Sequence, residues 1–407
     1  MSAALSVTLD WVLWGLYALV VLKWLAGHLE INRNVKALSL SPAPPTSSTT
    51  PTARISVIIA AHNEADSITA CLARVCAQDH PVAQVIVAND RSTDGTAQAI
   101  SVFARRHPEV QYLDIAALPS GWLGKAHALA QAADRADGDW LVFTDADVVW
   151  HPALLRTIME LSVRERLDFV SLWPNTIVIG FWERFLIPAC GWALSLWFAA
   201  RCPGVVAKTP AFANGQFIAI RREAYARLGG FAAVRDDLAE DVAIARRAHA
   251  AGLRRYVGLG RELLTTRMYE NLSQIISGWT RIFTGALRTR WRLVATLLAA
   301  TIGCWSAFAA MLVLALRPTA AGWGPLESAW LIAALAHLAA MYSVLRRQMA
   351  LGLEGRPLLT LFPLALIGVV LLLCRCLLLT SGLGTVSWGG IRFKVRGTRA
   401  VAPVGSG

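Results

Sequence analysis

The chain has 407 residues, with 39 Lys plus Arg against 27 Asp plus Glu and a formal net charge of +12. Apolar residues make up 55 % of it and charged residues only 16 %, well below the ~25 % charged content usual in soluble domains. That balance excludes a disordered chain and argues against an ordinary cytosolic protein.

From the N-terminus, residues 5–27 carry Asp10 and Lys23 as their only charges, and nothing before Asp10 is basic. A signal peptide needs a basic start, so residues 1–30 are expected to be a transmembrane anchor. Lys23, Arg33 and Lys36 come late in or after this stretch, which places the following chain in the cytoplasm by the positive-inside rule. Residues 39–53 read SLSPAPPTSSTTPTA, a Pro, Ser and Thr mixture without periodicity that predicts a flexible linker.

Residues 54–292 read as globular. Short β-rich runs at 55–61, 84–88, 110–115 and 140–144 alternate with helical patterns at 65–76, 96–106 and 124–135. Such alternation predicts an α/β fold with a largely parallel sheet, and ligands bind at the carboxyl ends of its strands. The polar clusters fall there: His62-Asn63-Glu64, Asn89-Asp90-Arg91-Ser92 and Asp145-Ala146-Asp147.

Asp145 and Asp147 are two carboxylates at i and i+2 beyond a strand, on one side of an extended chain. Their repulsion is resolved by a hard divalent cation, Mg²⁺ or Mn²⁺, which also takes phosphate oxygens; a solvated turn is the plainer alternative. Asp90 stands where a strand-end carboxylate accepts from a nucleobase, while Asp94 or Thr96 suits a helix cap. Gly121-Trp122-Leu123-Gly124-Lys125 opens a helix whose backbone amides and ammonium suit a pyrophosphate, although a loop Lys is otherwise merely solvated. Glu240-Asp241 precedes a helix, where acids are favoured as caps; the functional alternative is a general base for a hydroxyl. The seven cysteines, at 71, 76, 190, 202, 304, 374 and 376, form no CxxC pair and show neither a disulfide framework nor a zinc site.

Taken in order, the HNE, NDRSTDGT, WLGK, DAD, NGQFIAIRREAYARLGGF and AED segments resemble the inverting glycosyltransferases of family 2, over about residues 54–290. The resemblance implies a GT-A nucleotide-sugar-binding domain. It implies donor contacts from Glu64, Asp90, Lys125 and Asp145, a divalent metal on Asp145 and Asp147, and Asp241 as catalytic base with Glu240 as its partner. Asn89 stands where the family's DDxS motif has its first acid. Processive members carry Q-x-x-R-W; here Gln274 is followed by Trp279 and Arg281 in the wrong order, which argues against polymer synthesis. The membrane segments resemble the membrane-bound branch, and the GWLGKAHAL and MYENL segments are most similar to its hopanoid-associated (hopene-associated) members. The implied reaction moves one sugar from a nucleotide diphosphate sugar to a membrane lipid hydroxyl, at a bacterial inner membrane with the catalytic domain facing the cytoplasm. The alternatives are a polyprenyl-phosphate or polysaccharide-type transferase, or a non-catalytic membrane scaffold.

The rest of the chain returns to the bilayer. Residues 185–200 are uncharged, with Trp182 just before them, and predict an interfacial helix near 182–200; a buried core helix is the plainer alternative. Residues 201–300 hold sixteen basic against seven acidic side chains, and Arg281, Arg288, Arg290 and Arg292 form a basic collar suited to anionic lipid headgroups. No nucleic-acid motif accompanies it, so a nucleic-acid partner is not expected. Residues 293–316, 328–345 and 357–374 are spanning candidates within a membrane region at 293–384, each long enough to approach the ~30 Å hydrocarbon layer. A basic tail at 385–407 follows. Three crossings would carry its Arg392, Lys394, Arg396 and Arg399 outside, against the positive-inside rule, so one of the three is expected to be a surface or re-entrant element.

Overall fold

A computed structural model describes residues 3–44, 53–198, 211–316, 324–388, 391–396 and 399–403. Most of the expected linker, the end of the expected interfacial segment and the last four residues of the tail lie outside this set.

Helix α1 (Ala3–Leu38) precedes the linker, and then β1 (Ile55–Ala61), α2 (Ile68–Cys76), β2 (Gln84–Asp90), α3 (Thr96–Ala104), β3 (Val110–Ile115), α4 (Gly124–Ala133) and β4 (Trp140–Asp145) alternate. The four strands are mutually parallel. β1 and β2 are buried along nearly their whole length, as continuous apolar runs between two helical layers should be. The strands β2 and β4 continue to Asp90 and Asp145, carrying those acids to the sheet edge.

Beyond β4 come β5 (Val148–Trp150), α5 (Leu154–Arg164), β6 (Phe169–Trp173), β7 (Asn175–Val178), α6 (Phe181–Phe198), β8 (Phe217–Arg221), α7 (Arg222–Arg227), α8 (Glu240–Ala250), β9 (Arg255–Leu259) and β10 (Leu264–Thr266). The main sheet has seven strands in the order β3-β2-β1-β4-β8-β6-β9, with β8 antiparallel to both neighbours. One core, containing Ile55, Leu72, Val85 and Leu155, fills the α2, α3 and α5 side; another, containing Ile86, Leu129, Phe143 and Ile244, fills the α4, α7 and α8 side.

The C-terminal part comprises α9 (Leu272–Leu287), α10 (Arg290–Leu316), α11 (Pro325–Gly352), β11 (Leu353–Gly355), α12 (Phe362–Thr380) and the strands β12 (Thr385–Trp388), β13 (Ile391–Arg396) and β14 (Arg399–Pro403). β11 joins β7, β10 and β5 in a small second sheet, and β12–β14 form an antiparallel meander. Among the described residues, four helical segments are long and apolar enough to span a membrane: Trp11–Ile31, Arg290–Leu316, Pro325–Gly352 and Leu359–Thr380. α1, α10 and α11 expose aliphatic faces, including Leu16, Leu19, Leu312, Val313 and Ile332. Several of their internal polar groups pair with one another, as an apolar solvent favours. The Tyr17 hydroxyl and His337 Nδ1 lie 3.2 Å apart, and the Gly303 carbonyl accepts from Trp24 Nε1 at 2.6 Å and lies 3.0 Å from His337 Nε2.

α6, α9 and α12 form a layer against the α/β domain. α6 buries Leu186, Cys190, Trp192 and Ala193 and exposes Phe181, Trp182 and Leu196, so this segment packs on one side while presenting aromatic rings on the other. α12, the most apolar of the candidate spans, starts and ends on the α/β domain. At its start the Leu358 amide donates to Arg184 O (2.9 Å) and β11 pairs with β7. At its end Arg290 Nη2 donates to Thr380 O (3.2 Å), and Leu379 packs with Leu123 and Leu238 of the α/β domain.

Candidate active site

The parallel strands deliver their carboxyl ends to one edge of the sheet, and six short segments meet there. After β1, Asn63 adopts a left-handed backbone (φ 57°), a conformation Asn tolerates. Its turn brings Glu64 round so that its carboxylate accepts from Ser67 Oγ at 2.6 Å. Burial, and the nearby Asp145 charge, raise the Glu64 pKa above the ordinary carboxylate range. After β2, both oxygens of Asp90 are held by Arg91, at 2.7 Å from Nε and 3.0 Å from Nη2. Asn89 donates to Asp114 Oδ1 (3.0 Å) and to the Tyr112 hydroxyl (3.2 Å), while its own buried Oδ1 has no partner. Asp94 takes the capping role the sequence suggested, accepting from the Thr96 amide at 3.0 Å.

Lys125 sits in the first turn of α4 and joins the centre. Its ammonium lies 2.5 Å from Asp145 Oδ1 and 3.3 Å from Glu240 Oε1. Burial alone would lower its pKa, but Asp145 and Glu240 together raise it above the ordinary lysine value. Asp147 is stabilised by the Thr266 hydroxyl of β10, which donates to Oδ2 at 3.2 Å. Burial first, and then the Asp145 and Glu64 charges, push the Asp147 pKa upward. Asp145, Asp147 and Glu64 thus crowd negative charge at this edge, and Asp145 and Asp147 offer a hard, all-oxygen pair. That chemistry fits Mg²⁺ or Mn²⁺ completed by substrate oxygens and water.

At the N-terminus of α8, Asp241 Oδ2 accepts from the Gly215 amide at 2.8 Å and Oδ1 from the Val242 amide at 2.7 Å. Burial and the neighbouring Glu240 raise its pKa; Lys125 and the two amides act in the opposite direction. A Cβ at Gly215 would lie 3.2 Å from Asp241 Oδ2 and 3.3 Å from Lys125 Nζ, so a larger residue there would press on both side chains. The structure thus brings Lys125, Asp145, Glu240 and Asp241 together, sets Glu64 and Asp147 beside them, and leaves Asp90 bound to Arg91 at the flank. Sequence reasoning missed the Gly215 amide and the Thr266 hydroxyl. NGQ was visible as a motif, but nothing local marked its amide as the partner of a carboxylate 26 residues on.

Among the described residues, these acids open into a cavity of about 990 Å³. It is lined by Lys125, Asp145, Glu240 and Asp241 of the α/β domain, by the aromatic rings of Trp173, Trp192, Trp197 and Phe212, and by Trp24, Leu298, Ile302 and Val344 of α1, α10 and α11. Leu298 and Ile302 are also 49 % and 55 % exposed, so residues that line the cavity reach the outer surface of the apolar helices. Trp279 and Arg281 of α9, whose roles the sequence left open, also line it.

Residues 56–229 match the family described as glycosyl transferase family 2. Among curated proteins, the chain is 28 % identical over 117 residues to an uncharacterized glycosyltransferase, YibD, of Escherichia coli (strain K12), covering 29 % of this chain and 33 % of that protein. It is 26 % identical over 247 residues to the beta-monoglucosyldiacylglycerol synthase of Synechocystis, covering 57 % of this chain and 49 % of that one. These matches span a third to a half of the relatives' lengths. Among solved structures, a mannosyltransferase from Pyrobaculum calidifontis, PcManGT, in complex with GDP-Man and Mn²⁺, superposes with a TM-score of 0.51 at 20 % identity, covering 87 % of this chain and 99 % of that one.

Proposed function

From a chain that carries a glycosyltransferase family 2 domain in the GT-A fold, we propose a glycosyltransferase that moves a single sugar from a nucleotide diphosphate sugar to a membrane lipid hydroxyl, with inversion. The observation that carries this reading is the cavity, whose lining joins the ionisable groups of the α/β domain to partly exposed residues of the apolar helices. A polar headgroup reaches Asp241 while its apolar tail stays against Trp192, Leu298 and Ile302. The Synechocystis relative, named as a synthase of a glucosylated diacylglycerol, supports a lipid acceptor. The GDP-Man and Mn²⁺ of the mannosyltransferase support the donor class and the metal.

The acceptor oxygen attacks the anomeric carbon from the face opposite the diphosphate, its proton passes to Asp241, and the bond from carbon to the diphosphate oxygen breaks. Asp241 suits this task because its raised pKa makes it a better proton acceptor near neutral pH. Lys125, with the amides of the first turn of α4, holds the diphosphate. Glu240 keeps the Lys125 ammonium beside Asp241. The nucleobase lies against the Asp90–Arg91 pair, and Glu64 shapes the donor side. A divalent cation held by Asp145 and Asp147 would neutralise the leaving diphosphate.

The resemblance in GWLGKAHAL and MYENL supports a hopanoid or hopanoid precursor as acceptor, and with it the bacterial inner membrane; the basic collar supports a cytoplasmic α/β domain. Membranes containing the protein, incubated with a panel of radiolabelled nucleotide sugars and Mn²⁺, are expected to place label in the lipid extract and to lose it on EDTA treatment. Label only in polymer, or in no fraction with any donor, overturns the reading.

A further inference from the structure

The loops carrying Lys125 and Asp241 share one support outside both cores of the α/β domain. Leu123 and Leu238, each two or three residues before those side chains, are 4 % and 3 % exposed. They join a separate apolar cluster with Ala126, Leu379 of α12, and Val386, Phe393 and Val395 of the C-terminal meander. The last three share a face of the meander: Phe393 and Val395 lie two apart on β13, and Val386 is the cross-strand partner of Phe393.

The two loops are also tied to each other, the Leu123 amide donating to Arg235 O at 2.8 Å. From the other side, α9 presses on the Asp241 loop. A Cβ on Gly285 would lie 2.7 Å from Ala239 Cβ and 2.9 Å from its amide nitrogen. The loop before Asp241 is thus held between α9 and the meander, and α12 brings the chain back to the domain so that this closure is made.

We infer that the C-terminal strands β12–β14 are a positioning element of the active site, holding the N-termini of α4 and α8 at the separation that sets Lys125 against Asp145 and Glu240. The inference rests on the proposed transfer reaction, since it concerns the rate of that reaction. Its physical basis is the tolerance of oriented chemistry: a shift of ~1 Å in a catalytic group can cost ~10²-fold in rate. The Lys125–Asp145 and Lys125–Glu240 separations of 2.5 and 3.3 Å leave little room for one. Phe393 and Val386 touch no reacting atom and act only through Leu123 and Leu238.

The test uses the full chain in lipid nanodiscs, with donor and lipid acceptor varied separately. Phe393→Ala is expected to lower kcat about tenfold or more while the donor KM changes less than about threefold, and Phe393→Leu is expected to recover most of the rate. Val386→Ala, a smaller deletion in the same cluster, should give a weaker loss of the same kind; it carries the test if Phe393→Ala does not fold, as judged by its melting transition. Parent-like kcat in the folded variants overturns the inference. So does a rate loss that Phe393→Leu fails to rescue. Asp241→Asn run in parallel separates the two layers. If it keeps the parent rate, the reading of the site falls; if it is inactive while Phe393→Ala and Val386→Ala are parent-like, only the positioning role falls.

Discussion

Asp241 faces two demands at once. As the proposed base it must be ionised to take a proton, and it is buried beside Glu240, which opposes ionisation; Lys125 and the Gly215 and Val242 amides offset that penalty. Asp241→Asn keeps the size and most of the hydrogen bonding but removes the basicity. It should leave donor affinity by calorimetry nearly unchanged and cut the transfer rate by ~10²-fold or more. Asp145→Asn should damage both, because Asp145 is the 2.5 Å partner of Lys125 and a member of the metal-binding pair. The sign of the pH dependence follows from the raised pKa. The active form is deprotonated, so activity is present above that pKa and lost as pH falls through it. The acid limb of kcat should therefore lie above the ordinary carboxylate range of ~4, as rates at saturating donor across pH will show; a limb at ordinary carboxylate values would remove Asp241 from the base role. The expected nucleobase contact at Asp90 was legible as a strand-end acid. Its bidentate hold by Arg91 was not, because it depends on the left-handed turn at Arg91 (φ 54°).

At the scale of elements, α12 is where composition and path part company. Its 19 residues make about 28 Å of helix at 1.5 Å per residue, enough to approach a bilayer's thickness, yet both of its ends rest on the α/β domain. Arg375, five residues before its end, is exposed beside Leu371 and Leu378. Two ends resting on one domain are the arrangement of a helix lying in the interface. α12 should therefore be an in-plane element, leaving α1, α10 and α11 to cross. Cysteines introduced at the exposed positions Ser381 and Asp137 should both react with an impermeant maleimide from the same side of sealed vesicles. Reaction of Ser381→Cys from the opposite side would make α12 a crossing helix and carry the meander away from the active site.

Over the whole molecule, the cavity is what links the α/β domain to the membrane helices. Its lining comes from segments far apart in the chain: Trp24 near the N-terminus, Asp241 in the middle, Ile302 and Val344 late. Under the proposed function, a lipid acceptor would enter beside Leu298 and Ile302, and the donor would arrive from the carboxyl edge of the sheet. Ile302→Trp, at the half-exposed mouth, should lower transfer to the lipid acceptor about tenfold, as narrowing an apolar passage does, and leave nucleotide diphosphate binding intact. Transfer assays beside donor calorimetry check it; equal rates would place the acceptor's route elsewhere.

The sequence by itself determined the features that depend on local pattern. Alternating apolar runs such as 55–61 and 84–88 set a parallel sheet, because strands buried on both faces must be apolar throughout. A parallel sheet in turn sends Glu64, Asp90, Asp145 and Asp147 to one edge. Length and hydropathy alone marked the four apolar helices. What only the tertiary structure decided depends on contacts between distant segments: the Gly215 amide on Asp241, the Thr266 hydroxyl on Asp147, the burial that raises the carboxyl pKa values, and the packing of Val386 and Phe393 beneath Leu123 and Leu238. The path of α12 belongs with these. An apolar run of that length satisfies a bilayer crossing and an in-plane layer equally well, and only the tertiary contacts at its two ends, with Arg184 at one and with Leu123 and Leu238 at the other, bear on the choice.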